Sequence, residues 1–372
     1  MKQKTKLLTA LLFMITLFWG CHQKDTESQS SPILQQKIDS LISAAPGFSG
    51  VVLVADKGKP VYYKAYGYRN FETSVPLDTT DIFELASVSK QFTAMVIMML
   101  KEKGKLSYDD LLEKYIPGLP YQEITIRHLL SHTSGLPDYQ AVMDQYWDKS
   151  KVAGNHDIIN YLQLYHPPIV FKPGEKYEYS NTGYVLLASI AEKASGEDFI
   201  SFCREHIFNL LEMKSTDIRS LEVRKSVANF ALGHIYVPEK QRYVSADSFP
   251  SSNYTLWLGN RKGPGRVSST ASDLLKWDRA LYTEKMISQS TLKEAFSPYT
   301  LTTDSLSQYG FGWMLDENPE AGKIVWHNGD NPGYKTIIIR LIDQDKTIII
   351  LCNNAHGQFA EITSTLKTLF TK

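Results

Sequence analysis

The sequence predicts a mixed α/β (α+β) fold, in which both ends of the chain form one antiparallel sheet around a mostly helical inserted unit. Apolar runs of strand length occur before about residue 70 and again after about residue 309, whereas the region between them carries apolar residues at helical spacing. The chain has 372 residues, of which 43% are hydrophobic. It can therefore bury a large core and form two structural units.

The first 31 residues are typical of a targeting segment. Three lysines precede an apolar run at 7–19, which is too short to span a bilayer comfortably and has the length of a secretory signal. The Gly-Cys that follows resembles a bacterial lipoprotein cleavage site. We therefore expect a signal peptide at 1–20, a lipid on Cys21 and a polar tether at 21–31. These features would anchor an exported protein to a membrane of the bacterial cell envelope, in the periplasm or at the surface; an ordinary signal peptide is the alternative.

The first elements after the tether are a helix and a hairpin. Ser-Pro at 31–32 favours a helix start, and apolar residues at helical spacing follow it. Strands are expected at 48–55 and 61–68, joined by a polar turn that contains glycine. A long helix from Ser87 to about Gly104 is apolar nearly all round, which predicts a buried central helix.

The rest of the chain is predicted to be helical first and then to return to strands. Ser107, Thr125 and Thr270 are each placed to cap a helix start. Helices are expected at 157–165, 183–194, 199–211 and 270–281, with one small hairpin at 233–246. Strands follow at 309–315, 323–327, 334–342 and 347–351, before a closing helix at 358–370.

This order of elements predicts one domain at 32–372 that contains two structural units. The sheet unit would comprise about 32–86 and 265–372, and the mostly helical unit about 87–264. The boundary between the two units would be a natural cleft.

Charge and composition exclude several function classes. The 40 basic and 40 acidic side chains balance, and no dense basic run follows the first residues, so no nucleic-acid partner is expected. The chain lacks a phosphate-binding glycine loop, a Gly-x-Ser-x-Gly elbow and a His-Glu-x-x-His motif, so we expect no cofactor and no metal. His128 and His132 share a helical face, but no carboxylate or cysteine ligand is near them, which favours a structural role.

Two cysteines remain besides the one in the targeting segment. Cys203 lies in an apolar helical pattern and Cys352 in an apolar strand pattern. We expect two buried free thiols, since cysteine behaves in such places as a small hydrophobe. A disulfide is the alternative in an exported protein.

The chemistry of the chain is expected to centre on Ser87 and Lys90, at the start of the long helix. Residues three apart lie on one helix face with Cβ atoms about 5–6 Å apart, so the amine can reach the hydroxyl. A serine needs a neighbouring base to act as a nucleophile, and burial among apolar side chains lowers the pKa of a lysine toward that task. The helix N-terminus also favours a developing oxyanion. A simple N-cap is the alternative for Ser87.

A second polar pair, Tyr179 and Asn181, follows a Pro-Gly turn and precedes a predicted helix. In an extended backbone, residues two apart point the same way. A phenol can relay a proton, and an amide can bind a substrate carbonyl or position a lysine. The structural alternatives are a core tyrosine and a helix cap.

A third group, His327 and Gly329, follows a predicted strand. The glycine would allow a ligand to approach the backbone closely. The histidine could offer a hydrogen bond to a substrate carboxylate or oxyanion. A surface turn before the next strand is the alternative.

Three patterns, Ser-x-x-Lys at 87–90, Tyr-x-Asn at 179–181 and His-x-Gly at 327–329, occur in the order and rough spacing of the serine β-lactamase-related family. The chain resembles that family, which includes class C β-lactamases, D-Ala-D-Ala carboxypeptidases, D-aminopeptidases and several esterases, over roughly residues 33–372. Each pattern is weak by itself, but the ordered combination is specific. Further segments that resemble landmarks of the family lie at 129–137, 171–174, 269–274 and 309–313.

The resemblance implies a β-lactamase/transpeptidase-like fold and a serine hydrolase that works through an acyl-enzyme. It implies that Ser87 is the acylated nucleophile, and that Lys90 and Tyr179 share the duties of general base and general acid. Which of the two is the principal base stays open. Asn181 would contact the acyl-side amide of a substrate, and the backbone N–H groups of Ser87 and Asp330 would form the oxyanion hole.

One position departs from the class C pattern. Class C β-lactamases usually carry Lys-Thr-Gly where this chain has His-Asn-Gly at 327–329. His327 and Gly329 would therefore line the opposite wall of the cleft without a permanent cation or a threonine hydroxyl. This change makes peptidase or esterase activity a stronger expectation than dedicated β-lactamase activity, while slow acylation by penicillins, as in a penicillin-binding protein, stays compatible with the site.

These observations together predict an exported serine hydrolase that acts on a small ester or amide, with a D-amino-acid peptide or a β-lactam among the candidate substrates. The alternative is a catalytically silent cell-envelope protein that binds wall peptides or a partner through the same cleft.

Overall fold

A computed structural model describes residues 32–249 and 253–371. The expected signal peptide, the lipid on Cys21 and the polar tether lie outside these residues. Among the helices within the described ranges, none has both the length and the apolar character needed to cross a bilayer.

The described chain contains helices throughout and strands concentrated toward its two ends. The helices are α1 (Pro32–Ser43), α2 (Lys90–Glu102), α3 (Ile126–Leu130), α4 (Tyr139–Tyr146), α5 (Asn155–Tyr165), α6 (Asn181–Ser195), α7 (Phe199–Cys203), α8 (Leu221–Ser226), α9 (Tyr254–Trp257), α10 (Ala271–Ala280), α11 (Gln289–Ala295) and α12 (Phe359–Thr371). The strands are β1 (Gly50–Asp56), β2 (Lys59–Tyr66), β3 (Tyr68–Asn70), β4 (Val75–Pro76), β5 (Phe83–Glu84), β6 (Asp217–Ile218), β7 (His234–Val237), β8 (Arg242–Ser245), β9 (Val267–Ser269), β10 (Tyr299–Thr300), β11 (Leu306–Ser307), β12 (Met314–Asn318), β13 (Gly322–Asn331), β14 (Tyr334–Leu341) and β15 (Lys346–Cys352).

The central sheet is built from both ends of the chain, as the sequence predicted. Its six strands are antiparallel and follow the order β12-β13-β14-β15-β1-β2. Strands β1 and β15 pair along their whole length, from Gly50 opposite Cys352 to Asp56 opposite Lys346. A smaller antiparallel sheet has the order β5-β9-β6, and its strand β5 leads into the turn that carries Ser87.

The two faces of the central sheet bury alternate side chains in two separate cores, because successive residues of a strand point to opposite faces. Val52 and Val54 of β1 pack on one face against α1 and α12. Val51 and Leu53 point to the other face, where α2, α10 and the helical middle of the chain cover the sheet. Burial on both faces explains why β1 and β15 are apolar along nearly their whole length.

The central helix begins differently from the prediction. Every residue of α2 from Lys90 to Leu100 is buried, as expected. The preceding segment Ala86–Ser89, however, is a 3₁₀ turn rather than the first turn of the α-helix. Ala86 has φ +49°, a left-handed conformation that is unfavourable for a residue with a side chain. This turn redirects the chain after β5 and leaves Ser87 half-buried at the site.

Ser107 does not cap a helix. Its backbone N–H donates to Asp110 Oδ2 at 2.8 Å and closes a local turn, so the two residues stabilise each other without a helix. Thr125 and Thr270, in contrast, cap α3 and α10 as predicted, each accepting a backbone N–H three residues later. The sequence did not distinguish these cases, because Ser107-x-x-Asp110, which forms a turn, has the same pattern of polar residues as Thr270-x-x-Asp273, which caps a helix.

Two strand boundaries near the end of the chain also differ from the prediction. The strand expected at 309–315 begins only at Met314, because the Gly310 N–H donates to the Trp313 carbonyl at 2.8 Å and closes a tight turn. Strand β13 extends to Asn331, so the segment 327–331 lies within a strand instead of after one.

Cys203 and Cys352 are both buried and unpaired in the structure, which confirms the expected free thiols. Burial raises the pKa of both thiols, so neither is activated as a thiolate.

Candidate active site

Lys90 is at the centre of the site and is fully buried. Its Nζ lies 3.0 Å from Ser87 Oγ, 2.9 Å from Asn181 Oδ1 and 3.0 Å from the carbonyl oxygen of Pro264. Burial lowers the pKa of Lys90 well below its usual value, and the nearby charge of Arg261 lowers it further. The environment therefore favours the neutral amine.

The contacts of Lys90 also orient its amine. The side-chain oxygen of Asn181 and the carbonyl oxygen of Pro264 can only accept hydrogen bonds, so they take up both N–H bonds of a neutral amine. In a neutral amine the third direction carries the nitrogen lone pair, and Ser87 Oγ lies 3.0 Å from Nζ to meet it. This is the arrangement that a lysine needs in order to accept the serine proton.

Ser87 is held in this position by the elements around its turn. Thr336 Oγ1 of β14 donates to the carbonyl oxygen of Leu85 at 2.7 Å. Gly329 of β13 lies so close to the same carbonyl that a Cβ at this position would collide with it. The N-cap positions of the two helical segments are Leu85 and Ser89, so Ser87 does not serve as a cap.

Asn181 reaches Lys90 from the first residue of α6. The sequence left a helix cap as the alternative for Asn181, but Ser180 occupies that position, and its Oγ accepts the Gly183 N–H at 3.2 Å. The amide of Asn181 is therefore free to bind Lys90, and its Nδ2 group is available for a second partner.

The Tyr179 ring lies against Lys90, whose Nζ is 4.7 Å from the ring centroid. Although 37% of Tyr179 is exposed, its hydroxyl end lies next to Ser87. Burial of that end raises the pKa of the phenol, and a hydrogen bond with the Ser87 hydroxyl offsets part of the rise. A phenol that keeps its proton is suited to donate it to a leaving group, whereas the neutral Lys90 is suited to accept one.

His132, for which the sequence favoured a structural role, is buried and lies against Tyr179. The ring of His132 is 4.4 Å from that of Tyr179, 4.5 Å from that of Tyr309 and 5.0 Å from that of Tyr184, measured between centroids. Its Nδ1 accepts the Ser180 N–H at 3.1 Å, so Nε2 carries the proton. Burial lowers the pKa of His132 well below its usual value, so the ring is neutral. His132 thus fixes the backbone next to Tyr179 and supports its ring.

His327 is buried, and both of its ring nitrogens already have partners. Nδ1 lies 2.7 Å from the carbonyl oxygen of Asn328, which can only accept, and Nε2 therefore accepts the hydroxyl of Tyr309 at 2.9 Å. Burial lowers the pKa of His327 to about 3. The ring is neutral at physiological pH and does not supply the positive charge of a Lys-Thr-Gly motif. The contact expected between His327 and a substrate stays a prediction.

Strand β13 brings Gly329 and Asp330 beside the turn that carries Ser87. Gly329 lies opposite Thr336 of β14, and Asp330 lies opposite Lys335. The Asp330 side chain is exposed. The predicted second donor of the oxyanion hole is the backbone N–H of Asp330, which does not depend on where the side chain points, and this role stays a prediction.

One group of side chains within the described ranges has the spacing of metal ligands. Donor atoms of Glu197, Glu205 and His206 all lie within 4.8 Å of one another. Both glutamates are exposed, and exposed acidic groups often cluster without a metal. The group shares no contact with Ser87 or Lys90.

The sequence and the structure match one protein family over almost the whole described chain. The model of the Beta-lactamase family matches residues 38–371, and the chain belongs to this family. With the serine site described above, the protein is a serine hydrolase of the β-lactamase and penicillin-binding protein type, with the fold that the resemblance implied.

The chain is similar in sequence to several bacterial proteins. The chain is 44% identical over 307 residues to penicillin-binding protein 4* of Bacillus subtilis (strain 168), and the aligned region covers 82% of this chain and 68% of the relative. It is 27% identical over 339 residues to protein flp of Staphylococcus aureus (strain MW2), covering 86% of this chain and 63% of that protein. The chain thus spans roughly two thirds of the length of these relatives.

A solved structure confirms the fold. The octameric penicillin-binding protein homologue from Pyrococcus abyssi superposes with a TM-score of 0.77 at 28% identity, over 91% of this chain and 77% of that one.

Proposed function

We propose that this protein is an exported hydrolase that forms an acyl-enzyme through Ser87 on a small ester or amide, with D-amino-acid peptides and β-lactams as its substrate classes. The observation that carries the proposal is the arrangement of Lys90. Its amine is fully buried and lies 3.0 Å from Ser87 Oγ, 2.9 Å from Asn181 Oδ1 and 3.0 Å from the Pro264 carbonyl oxygen. A neutral amine that donates to the last two oxygens presents its lone pair to the serine.

In the proposed acylation, Lys90 Nζ accepts the proton of Ser87 as Oγ attacks the substrate carbonyl carbon. The backbone N–H groups of Ser87 and Asp330 bind the oxyanion that forms. Tyr179 donates its proton to the leaving nitrogen or oxygen as that bond breaks, and the resulting phenolate takes the proton from the Lys90 ammonium. Both groups then return to their starting state with Ser87 acylated.

Deacylation repeats the proton transfers with water in place of the serine hydroxyl. A water molecule attacks the acyl carbon, its proton passes to Lys90, and Tyr179 returns a proton to Ser87 Oγ as the ester bond breaks. The residue assignments rest on the free site, in which burial raises the pKa of the Tyr179 phenol and lowers the pKa of the Lys90 amine, so the phenol favours keeping its proton and the amine favours losing one.

The proposed location is the bacterial cell envelope. Two relatives that are named as penicillin-binding proteins, one of them putative, come from the bacterium Bacillus subtilis, which supports this location. The signal peptide at 1–20 and the lipid on Cys21, which would tie the protein to a membrane, are part of the same proposal. We also propose slow acylation by penicillins, because a relative that is 44% identical is named as a penicillin-binding protein.

The test compares the full chain in detergent with its Ser87→Ala variant and with Ser290→Ala, a matched control at an exposed serine. Hydrolysis of 4-nitrophenyl butyrate should fall by about 10³-fold or more in Ser87→Ala, because removal of a nucleophile eliminates the covalent route. Ser290→Ala should match the wild type.

Intact-protein mass spectrometry with benzylpenicillin gives an independent result. The wild type and Ser290→Ala should gain one penicillin mass, and Ser87→Ala should gain none. Equal ester turnover in the wild type and Ser87→Ala would refute Ser87 as the nucleophile. A wild type with neither turnover nor an adduct would favour a silent binding protein on this fold.

A further inference from the structure

Arg261 is a buried cation near the serine site whose N–H groups are not all used. It lies in the loop between α9 and β9, and only 8% of its surface is exposed. Its Nε and Nη1 have no hydrogen-bond partner among the described residues. Its guanidinium instead lies 5.7 Å from the centroid of the Tyr254 ring. A buried charge without a partner is costly, which makes a bound anion the expected complement.

The loop brings this guanidinium close enough to Lys90 for its charge to act on that amine. Three residues after Arg261, the carbonyl oxygen of Pro264 accepts a hydrogen bond from Lys90 Nζ at 3.0 Å. The Asn155 side chain holds the intervening backbone of Lys262 on both sides, accepting its N–H at 2.7 Å and donating to its carbonyl at 3.1 Å. Arg261 therefore projects from a fixed part of the site.

The charges around Arg261 do not balance. Glu84 Oε2 lies 3.2 Å from Arg224 Nη1 and 3.5 Å from Arg266 Nη1, and all three side chains are buried. Asp247 also pairs with Arg224. Three arginines thus share two carboxylates. Because both carboxylates make their ion pairs with the other two arginines, the excess positive charge falls on Arg261.

Among the described residues, the ion pairs of this cluster involve Arg224 and Arg266, and no carboxylate makes one with Arg261. Asp330 is the nearest acidic residue on β13 to Ser87, and its charge partner is Lys335. His327 on the same strand is neutral. The cation that a Lys-Thr-Gly motif would supply on β13 is therefore absent there, while Arg261 supplies one in another part of the site.

We propose that Arg261 binds a carboxylate in the acyl portion of the substrate. The inference rests on the proposed function, that is, on an acyl-enzyme at Ser87. Pro264, on the loop of Arg261, and Asn181 both hold Lys90, and Asn181 is the residue expected to contact the acyl-side amide. A guanidinium recognises a carboxylate well because its N–H donors form a fixed planar fork. The preferred substrate is therefore an acyl donor with a free carboxylate, such as a peptide whose acyl-side residue is acidic.

The test uses two 4-nitrophenyl esters that differ only in charge, the ester of N-glutaryl-D-alanine and its counterpart with the glutaryl carboxylate capped as a methyl ester. The readout is the ratio of kcat/KM for the free acid to kcat/KM for the capped ester, at pH 7.5 and fixed ionic strength. In the wild type this ratio should be about tenfold or more, as for a charge-assisted hydrogen bond.

Variants of the full chain assign that ratio to one residue. In Arg261→Gln the ratio should fall to about one, and in Arg261→Lys it should be intermediate, because the charge is kept and the fork is lost. Arg242→Gln, at an exposed arginine of β8, is the matched control and should keep the wild-type ratio. If Arg261→Gln does not fold, as judged by its unfolding transition, Arg261→Lys is the test, and a ratio below that of the wild type supports the proposal.

A wild-type ratio near one, or an unchanged ratio in the Arg261 variants, would overturn the proposal and leave Arg261 as part of the buried charge cluster. Failure of the proposed function gives a different pattern, in which neither ester shows Ser87-dependent turnover. Calorimetric binding of N-glutaryl-D-alanine amide to Ser87→Ala then tests Arg261 alone. Capping the carboxylate or adding Arg261→Gln should each raise Kd about tenfold, and equal affinities would refute the proposal.

Discussion

Replacement of Asn181 by aspartate tests whether Lys90 is the catalytic base, because the two side chains have nearly the same shape and differ in charge. Asn181 Oδ1 lies 2.9 Å from Lys90 Nζ. A carboxylate at that position would attract the protonated amine and stabilise it. Asn181→Asp should therefore raise the pKa of Lys90, against the lowering that burial and Arg261 produce.

The structure allows the size of this change to be worked out. Two unit charges 2.9 Å apart attract by about 6 kcal/mol at an effective dielectric constant of about 20, and by about 3 kcal/mol at about 40. The lower value is more appropriate because Asn181 is exposed, although Lys90 is buried. One pKa unit corresponds to about 1.4 kcal/mol, so the pKa of Lys90 should rise by about two units.

The assay is the pH dependence of kcat/KM for a neutral 4-nitrophenyl ester between about pH 5 and pH 10. If neutral Lys90 is the base, the acid limb of the profile should move up by about two pH units in Asn181→Asp, and activity at neutral pH should fall by as much as about 100-fold. Asn160→Asp, at an exposed asparagine of α5, should leave the profile unchanged.

An acid limb that stays in place in Asn181→Asp would refute this reasoning. That result would mean that Lys90 works as a protonated partner and that Tyr179 is the principal base. The single substitution therefore separates the two roles that the sequence left open.

Three further substitutions probe the supports of the site and of the fold. His132→Phe keeps a ring under Tyr179 but loses the acceptor for a backbone N–H, and kcat for the ester should fall about tenfold with little change in KM. Because unfolded protein would also lower the apparent kcat at unchanged KM, the rate is expressed per mole of protein that folds, as measured by near-UV circular dichroism, and an unchanged rate on that basis would contradict the role of His132. Gly329→Ala places a Cβ against the backbone of the Ser87 turn. The free energy of unfolding should fall by about 1–3 kcal/mol, with a lower Tm, and the folded protein should be acylated more slowly by benzylpenicillin. An unchanged rate of labelling would contradict the close packing. Asp278→Asn breaks a buried ion pair in which Arg340 Nε lies 2.6 Å from Asp278 Oδ1, and urea unfolding should show a loss of about 3–5 kcal/mol; a loss below about 1 kcal/mol would contradict this estimate.

The parts of the fold that the sequence predicted well depend on local pattern. Strands β1, β14 and β15 carry long apolar runs, and the six-stranded sheet from both chain ends followed from where those runs lie. The pairing of Ser87 with Lys90 was also predictable, because three residues of separation determine the geometry of one helical turn. The segment 309–313 was mistaken for a strand because its aromatic residues have strand propensity, whereas its glycines allow the tight turn that forms.

The parts that could not be predicted depend on contacts between distant segments. The Pro264 carbonyl that orients Lys90 is 174 residues from it in sequence, and a backbone group has no side-chain signature. His132 supports Tyr179 only because α3 and α6 pack together, which no spacing rule indicates. The burial that makes His327 neutral likewise arises from the assembled fold, so its residue type suggested a more exposed role than the structure gives it.

The pairing of β1 with β15 has a consequence for how the protein is made. The two strands lie roughly 300 residues apart in sequence, so β1 has no partner on that side until β15 has left the ribosome. The turn that carries Ser87 depends in the same way on Gly329 and Thr336, which are synthesised late. A chain with so many distant contacts folds slowly and only near the completion of synthesis. A nascent or truncated chain therefore lacks the assembled turn that holds Ser87, the proposed nucleophile, and hydrolytic activity should begin only once the finished polypeptide has folded.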